Sequence, residues 1–153
     1  MSIIAALQNW LEQYPGMQIQ PLADVLTDLT KPIPSSYALA PAGNSVTQTD
    51  IAGNRTYTNN YVFYARESIL DEADRVENHG FLEGFTEWIE ERAENGDFPD
   101  LPGGYVVDSV GVSNLLLFDV DESGIGTYQV QIQTKITKWR TTKMPTAQSK
   151  IKR

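Results

Sequence analysis

The most constraining feature of this sequence is a near-perfect alternation of apolar and polar side chains over residues 126–139. Successive side chains of a β-strand point to opposite faces of the sheet, so this period of two predicts a strand. Its two predicted faces contain, respectively, Tyr128, Val130, Ile132, Thr134 and Ile136, and Gln129, Gln131, Gln133, Lys135 and Thr137. We therefore expect one face to lie on a core and the other to meet water or another protein.

Other segments predict strands that can pair with this one. Residues 104–118 are rich in Val and Leu, and residues 44–66 have the pattern of a hairpin that turns at Gly53 and Asn54. Residues 36–42 predict a short edge strand, because a proline such as Pro41 is tolerated only at the edge of a sheet. Hairpins that follow one another along the chain predict an antiparallel sheet of about four strands, with a mixed sheet as the alternative.

Two amphipathic helices are expected. Residues 2–13 place their apolar side chains at helical spacing, with Ser2 as the N-cap. Residues 68–95 form the main helical region, in which Ser68 resembles the start of a capping box and residues 78–80 mark a break or a bend. The apolar stripe of this region contains Phe81, Leu82, Phe85, Trp88, Ile89 and Ala93. Such stripes must be buried, so we predict an α+β fold with the helices packed on one face of the sheet.

The chain is predicted to form one domain over residues 1–140, followed by a basic, mobile tail over residues 141–153. Residues 17–34 hint at a helical turn, but three prolines cut that stretch into pieces. No internal repeat and no domain linker is evident.

Charge is distributed unequally along the chain, whose formal net charge is −8. Residues 1–134 contain 20 acidic and 5 basic residues, whereas residues 135–153 contain 7 basic residues and no acidic one. A basic segment of this kind is typical of a tail that meets an acidic partner, either nucleic acid or an acidic surface on another copy of the chain, or of a solvated terminus. The acidic body would repel a duplex, so we expect no binding of nucleic acid by the folded part.

Composition excludes several classes of function. The chain has no cysteine and a single histidine, His79, so disulfide scaffolds, thiolate chemistry and multi-histidine metal sites are ruled out. No apolar stretch approaches the roughly 20 residues of a membrane span. The N-terminus lacks the features of a signal peptide, so we expect the protein to act in the cytoplasm where it is made. We predict no cofactor, no metal and no catalytic residue.

Two acidic patterns could suggest a site. Asp119, Asp121, Ser123 and Gly124 match the start of a calcium-binding loop, but position 12 is Val130 rather than glutamate, which favours a hairpin turn. Twelve acidic residues lie between Glu67 and Asp100. They fall mostly at solvent-facing helical positions, so a charged surface is the expectation and a pair of catalytic carboxylates is the alternative.

The order of segments resembles a known group of phage proteins. The segments that carry this resemblance are residues 61–66 (YVFYAR), 77–90 (ENHGFLEGFTEWIE), 98–102 (FPDLP), 116–119 (LLFD) and 126–132 (GTYQVQI). They resemble small proteins of the head–tail module of tailed phages and prophages of Gram-positive bacteria, which are labelled minor capsid proteins or are similar to tail terminators. The resemblance covers about residues 55–139.

This resemblance implies a structural virion protein rather than an enzyme. Tail terminators are α+β subunits that form a hexameric ring on the tail tube, stop its polymerisation and present the surface that docks to the head or neck. The implied partners are other copies of the chain, the tail tube protein, a neck or head-completion protein and the tail sheath, with nucleic acid only passing through the ring. The implied location is the virion, at the tail or head–tail junction, after assembly in the bacterial cytoplasm.

The sequence offers candidates for the subunit and partner interfaces but no further assignment. These are Gln129, Gln131, Gln133 and Lys135 on the strand, Glu83, Glu87, Glu90 and Glu91 on the helix, and Lys138, Arg140 and Lys143 at the basic end. Opposite charges on one chain suit head-to-tail self-association. Another connector or tail-completion role in the same module, and a small carboxylate-dependent hydrolase, remain the alternatives.

Overall fold

A computed structural model of the chain describes residues 2–15 and 36–139. In chain order the elements are α1 (Ile3–Leu11), β1 (Ser36–Thr49), β2 (Arg55–Ser68), α2 (Glu72–Glu94), β3 (Tyr105–Val120) and β4 (Ile125–Lys138). The strands form one sheet in the order β1-β2-β4-β3, and each pair of neighbours is antiparallel. The α+β prediction is confirmed, and the sheet is antiparallel rather than mixed.

The central ladder of the sheet is regular and the two outer ladders are not. Strands β2 and β4 pair without a shift from Arg55 opposite Lys138 to Ser68 opposite Ile125. Register shifts interrupt the pairing of β1 at two places and that of β3 at three. The prediction of about four strands gives the number of long strands and is coarse, because it takes no account of the interruptions in β1 and β3.

Strand β1 corrects one sequence prediction. The expected edge strand at residues 36–42 and the first arm of the expected hairpin are a single strand, with a register shift between Pro41 and Asn44. Pro41 does lie in an edge strand, as its missing N–H requires. Gly43 has a φ of 116° at the irregularity, a conformation that L side chains rarely adopt. The irregularity hid the continuity of the strand, because it breaks the period of two.

Both hairpin turns are held by an aspartate. Asp50 Oδ1 accepts a hydrogen bond from the Asn54 backbone N–H at 2.9 Å, next to Gly53 with its positive φ. In the second turn, Asp121 Oδ1 accepts hydrogen bonds from the N–H groups of Ser123 and Ile125. These bonds, the one from Ile125 above all, lower the pKa of Asp121. The interpretation of residues 119–124 as a hairpin turn is therefore confirmed.

The helices begin where a side chain can accept the first free backbone N–H groups. Ser2 caps α1 by accepting from the N–H of Ala5, as predicted. The cap of α2 is Asp71, which accepts from the N–H of Asp74, and the predicted capping role of Ser68 is wrong. Ser68 instead donates to Asp74 Oδ2 from the end of β2. Helix α2 is one uninterrupted helix through residues 78–80, so it is not divided into two.

The core lies between one face of the sheet and the two helices. The alternation predicted for β4 is confirmed, since the five residues of its apolar face are all buried. Phe63 of β2 and Phe85 of α2 are fully buried, with ring centroids 4.6 Å apart. Each large side chain of this kind contributes about 1.5–3 kcal/mol when it is removed from water. Trp10 and Trp88 join α1 to α2 at a centroid distance of 5.6 Å, so both helices lie on the same face.

The predicted helical turn within 17–34 and the predicted tail over 141–153 lie outside the described residues.

Candidate functional site

The polar side chains of β2 and β4 form what we call the outer sheet face, the side of the sheet turned away from the helices. Register places Asn60 beside Gln133 and Thr56 beside Thr137 across the central ladder. Gln133 Nε2 donates to Asn60 Oδ1 at 3.0 Å, and the two threonine hydroxyls lie 3.3 Å apart. The outer sheet face contains Thr56, Thr58, Asn60, Gln129, Gln131, Gln133, Lys135 and Thr137. Within residues 2–15 and 36–139, no helix covers it.

The sequence-predicted strand residues lie together on this face. Gln131, Gln133 and Lys135 are exposed, and Gln129 is partly buried. Amides at this spacing offer both donors and acceptors to a partner, and carry no net charge of their own. Lys135 is the only cation among the four, and Thr137 on the same face donates to the Asp108 carboxylate at 2.6 Å. Val62 and Tyr64 of β2 lie opposite Gln131 and Gln129, so a partner would also meet apolar groups there.

The predicted acidic residues lie in the other layer of the molecule. Glu83, Glu87, Glu90 and Glu91 are exposed on α2, which packs on the opposite side of the sheet. The structure therefore separates the two predicted sets instead of bringing them together. One subunit presents a neutral polar surface on one side and an acidic surface on the other, so the two can meet only between different copies.

The basic candidates have different surroundings. Lys138 Nζ donates to the carbonyl of Gly103 at 2.7 Å and lies 4.5 Å from the centre of the Tyr105 ring. This cation is thus already engaged inside the subunit, where it fixes the start of β3 against the end of β4. Arg140 and Lys143 lie outside the described residues.

A cleft of about 390 Å³ lies between α1 and the segment that follows α2. Its lining residues include Asn9, Trp10, Arg92, Asp97 and Asp100. Arg92 Nε donates to Asp97 Oδ2 at 2.7 Å, and this bond holds the pKa of Asp97 below its usual value. A general acid at neutral pH needs a raised pKa instead, so the direction at Asp97 does not favour acid–base catalysis in this cleft.

The remaining chemical candidates also have structural surroundings. His79 is exposed on α2 and its ring meets Tyr128 edge-on at 5.3 Å. Burial, together with the Glu67 carboxylate, raises the pKa of Tyr37, whose hydroxyl donates to that carboxylate at 3.1 Å. Among the described residues there is no group of three acidic, histidine or cysteine side chains placed to hold a metal. Neither of the helices described is long and apolar enough to span a bilayer.

Sequence reasoning missed a surface at the end of the sheet where β3 turns into β4. Leu70 and Val120 are 74 % and 51 % exposed, and Leu117 is 37 % exposed. Leu70 lies against Gly124, and Leu117 lies close to Gly126, so two glycines leave room for these side chains. We call Leu70, Leu117 and Val120 the apolar end of the sheet. Leu70 lies about fifty residues before Leu117 and Val120 in the sequence. Only the fold brings it beside the β3–β4 hairpin.

The apolar end lies among mostly acidic residues, and the opposite end of the sheet, which we call the basic end after Arg55 and Lys138, has two cations on its central strands. Asp71, Glu72, Asp119 and Glu122 lie at the ends of the elements that meet there, and all four are exposed. At the other end, Arg55 and Lys138 are direct partners in the β2–β4 ladder. The chain leaves the sheet at that basic end and continues with Arg140. Asp50 and Asp108 also lie near this basic end, and Arg66 and Arg75 lie near the apolar end, so the separation of charge along the strand direction is partial.

Comparison with known proteins does not assign a class: no protein-family model matches the sequence, and a search of curated proteins finds no match.

Proposed function

We propose that this chain is a structural virion protein, a tail terminator that forms a ring on the tail tube and provides the docking surface for the head or neck. The proposal rests on the resemblance of residues 55–139 to head–tail module proteins. Its partners would be other copies of the chain, the tail tube protein and a neck or head-completion protein. The site of action would be the head–tail junction of the virion, after assembly in the host cytoplasm.

The observation that best supports the proposal is the placement of two unlike surfaces on opposite sides of one subunit. A ring of identical subunits uses head-to-tail contacts, in which one surface of a subunit meets a different surface of the next. The outer sheet face supplies neutral amides and Lys135, and α2 supplies the carboxylates of Glu83, Glu87, Glu90 and Glu91. Amide and ammonium donors match carboxylate acceptors, so the two surfaces are complementary in hydrogen bonding.

The cleft beside Arg92 bears only on the alternative of a carboxylate-dependent hydrolase. The acidic residues that line it are Asp97 and Asp100. Asp97 is tied to Arg92 and its pKa is lowered. No specific observation therefore favours the carboxylate-dependent hydrolase over a building block.

The test is assembly of the purified chain with the tail tube protein from the same genome. Native mass spectrometry should give species near six subunits when tube is present, and electron microscopy should show the chain at one end of the tubes. The double variant Gln131→Glu, Lys135→Glu places negative charge on the outer sheet face and should reduce ring formation at least tenfold. Ile51→Lys changes the charge by one unit at the exposed β1–β2 turn and should leave assembly unchanged. A protein that stays monomeric and neither binds nor caps tubes would refute the proposal.

A further inference from the structure

The apolar end of the sheet has the composition of a small docking surface. Leu70, Leu117 and Val120 come from two chain segments: Leu70 lies against Gly124, Leu117 lies close to Gly126, and Val120 pairs with Gly126 in the β3–β4 ladder. A side chain at Gly124 would occupy the space in which Leu70 lies. Since exposure of three large apolar side chains to water is unfavourable, a surface of this kind is typical of a contact with another molecule.

The charges around the apolar end define the chemistry of its occupant. Asp71, Glu72, Asp119 and Glu122 are exposed next to these apolar residues in the chain, and they outnumber the cations there, Arg66 and Arg75. A segment that binds there should place an apolar side chain in the centre and cations at the rim. Arg75 already pairs with Glu72, but the excess of acidic residues at this end still favours a cationic partner and would repel an acidic one.

The chain itself contains a segment with this pattern. Residues 140–153 contain five basic residues and no acidic residue, and Ile151 lies between Lys150 and Lys152. Met144 likewise follows Lys143. The cations match the acidic rim, and Ile151 or Met144 matches the apolar centre.

The position at which the segment starts decides which copy it can reach. Trp139 follows β4 at the basic end, whereas the apolar end lies at the start of the 14-residue strand β4. A strand of that length spans about 46 Å, and residues 140–153 span about the same distance when fully extended. Binding to the same copy would therefore require complete extension along the whole sheet. A neighbouring copy has no such requirement.

We propose that the apolar end of the sheet in one copy binds the basic segment 140–153 of another copy. The inference rests on the proposed function, because it assumes a chain that acts as an assembly of copies. It adds a second contact between copies to the one between the outer sheet face and α2. Ile151 or Met144 packs on Leu70 and Val120, while lysine and arginine side chains pair with the surrounding carboxylates. The contact is head-to-tail, because donor segment and acceptor surface lie at opposite ends of the subunit.

The first test measures binding of a labelled peptide of residues 140–153 to the full chain by fluorescence anisotropy, at a protein concentration where sedimentation shows monomer. The double variant Leu70→Asn, Val120→Asn should weaken binding at least tenfold, and binding to the wild type should weaken steeply as salt is raised. The matched control is Ile51→Asn, which changes an exposed apolar residue at the other end of the sheet and should shift the affinity by less than twofold. Circular dichroism checks that each variant is folded.

A second peptide separates apolar recognition from charge alone. Serine at positions 144 and 151 retains every cation, and we expect this peptide to bind at least fivefold more weakly than the natural one. Equal binding of the two peptides, equal binding to wild type and to the Leu70/Val120 variant, or no binding at all would overturn the proposal.

Full-length variants connect the contact to assembly. Ile151→Ser with Lys152→Glu should raise the concentration needed for self-association at least tenfold, as should Leu70→Asn with Val120→Asn. If the Ile151/Lys152 variant instead loses only binding to a DNA duplex and associates normally, the segment serves nucleic acid and the proposal is wrong. A chain that associates through this contact but does not cap tail tubes would refute the proposed function alone. A chain that caps tubes regardless of both variants would refute this inference alone.

Discussion

Arg92 links the two helices through contacts that its sequence position does not reveal. Its guanidinium lies 4.7 Å from the ring centre of Trp10 and 4.7 Å from that of Trp88. Nε also donates to Asp97, and Nη1 donates to the carbonyl of Trp10 at 3.4 Å. The pattern of α2 predicted Trp88 in the apolar stripe, but a cation at position 92 indicates an exposed residue. Its burial depends on Trp10, which lies 82 residues away in the chain.

Replacement of Arg92 tests the strength of this arrangement. A cation held between two aromatic rings and largely removed from water contributes about 2 kcal/mol. We expect Arg92→Ala to lower the free energy of unfolding in urea by about that amount. Arg75→Ala on the same helix removes an ion pair with Glu72 and a hydrogen bond to the carbonyl of Ile69, and it should cost about 1 kcal/mol. Equal losses for the two variants would show that the tryptophan contacts contribute no more than a surface charge.

Helix α2 is continuous although its sequence contains two glycines. The segment 78–80 predicted a break or bend, because glycine is unfavourable in the interior of a helix. Packing of Leu82, Phe85 and Ile89 on the sheet outweighs this local preference. The two glycines differ in what surrounds them: at Gly80 a Cβ would meet nothing within 4 Å, whereas at Gly84 it would lie 2.6 Å from the hydroxyl of Tyr14.

These surroundings predict opposite effects for the same substitution one turn apart. Gly80→Ala should raise the free energy of unfolding by about 0.5–1 kcal/mol, since alanine has the higher helix propensity and no neighbour must move. Gly84→Ala gains the same propensity but displaces Tyr14, whose hydroxyl donates to the carbonyl of Phe81 at 3.3 Å and whose ring packs on three aromatic side chains of α2. We expect it to be neutral or destabilising in thermal and urea unfolding. A larger gain for Gly84→Ala than for Gly80→Ala would contradict the close contact with Tyr14.

The strands show where alternation of apolar and polar residues predicts strand bounds and faces correctly and where it does not. In β4 the alternation is uninterrupted and it assigned each side chain to the correct face, and the ladder of β4 with β2 has no register shift. In β1 and β3 the register shifts move successive residues out of phase, so sequence reasoning divided β1 and ended β3 two residues early. Irregularities of this kind are common at sheet edges, where they hinder pairing with further strands. Predictability therefore decreases from the centre of the sheet to its edges.

The two candidate surfaces of the molecule also differ in how far they could be predicted from the sequence. The part of the outer sheet face that belongs to β4 was predictable, because alternation within that one strand places each member from Gln129 to Lys135. The apolar end was not predictable, since Leu70 precedes α2 while Leu117 and Val120 lie about fifty residues later. A surface built from one element can be read from its periodicity, whereas a surface built from several needs their arrangement in space.

The whole domain has one core, and this predicts a single cooperative unfolding transition. Helix α1 has nine residues, too few to be stably helical in isolation, so its structure depends on the packing of Leu7, Trp10 and Leu11. Trp10 of α1 contacts Trp88, and Tyr14, just after α1, contacts Phe85. These residues pack in the same hydrophobic cluster as the core residues of the sheet. Loss of the sheet should therefore remove α1 at the same time.

Two optical signals can test this cooperativity. In a Trp139→Phe variant, the exposed third tryptophan is removed, and fluorescence reports only Trp10 and Trp88 at the contact between the helices. Fluorescence and far-ultraviolet circular dichroism should then give the same urea midpoint and the same slope, and the midpoint should equal that of the wild type. A fluorescence transition at lower urea would mean that α1 separates before the sheet unfolds. In that case the helix would be a peripheral element whose displacement leaves the four strands and α2 intact, and the contacts of Arg92 would stabilise its docking rather than the domain.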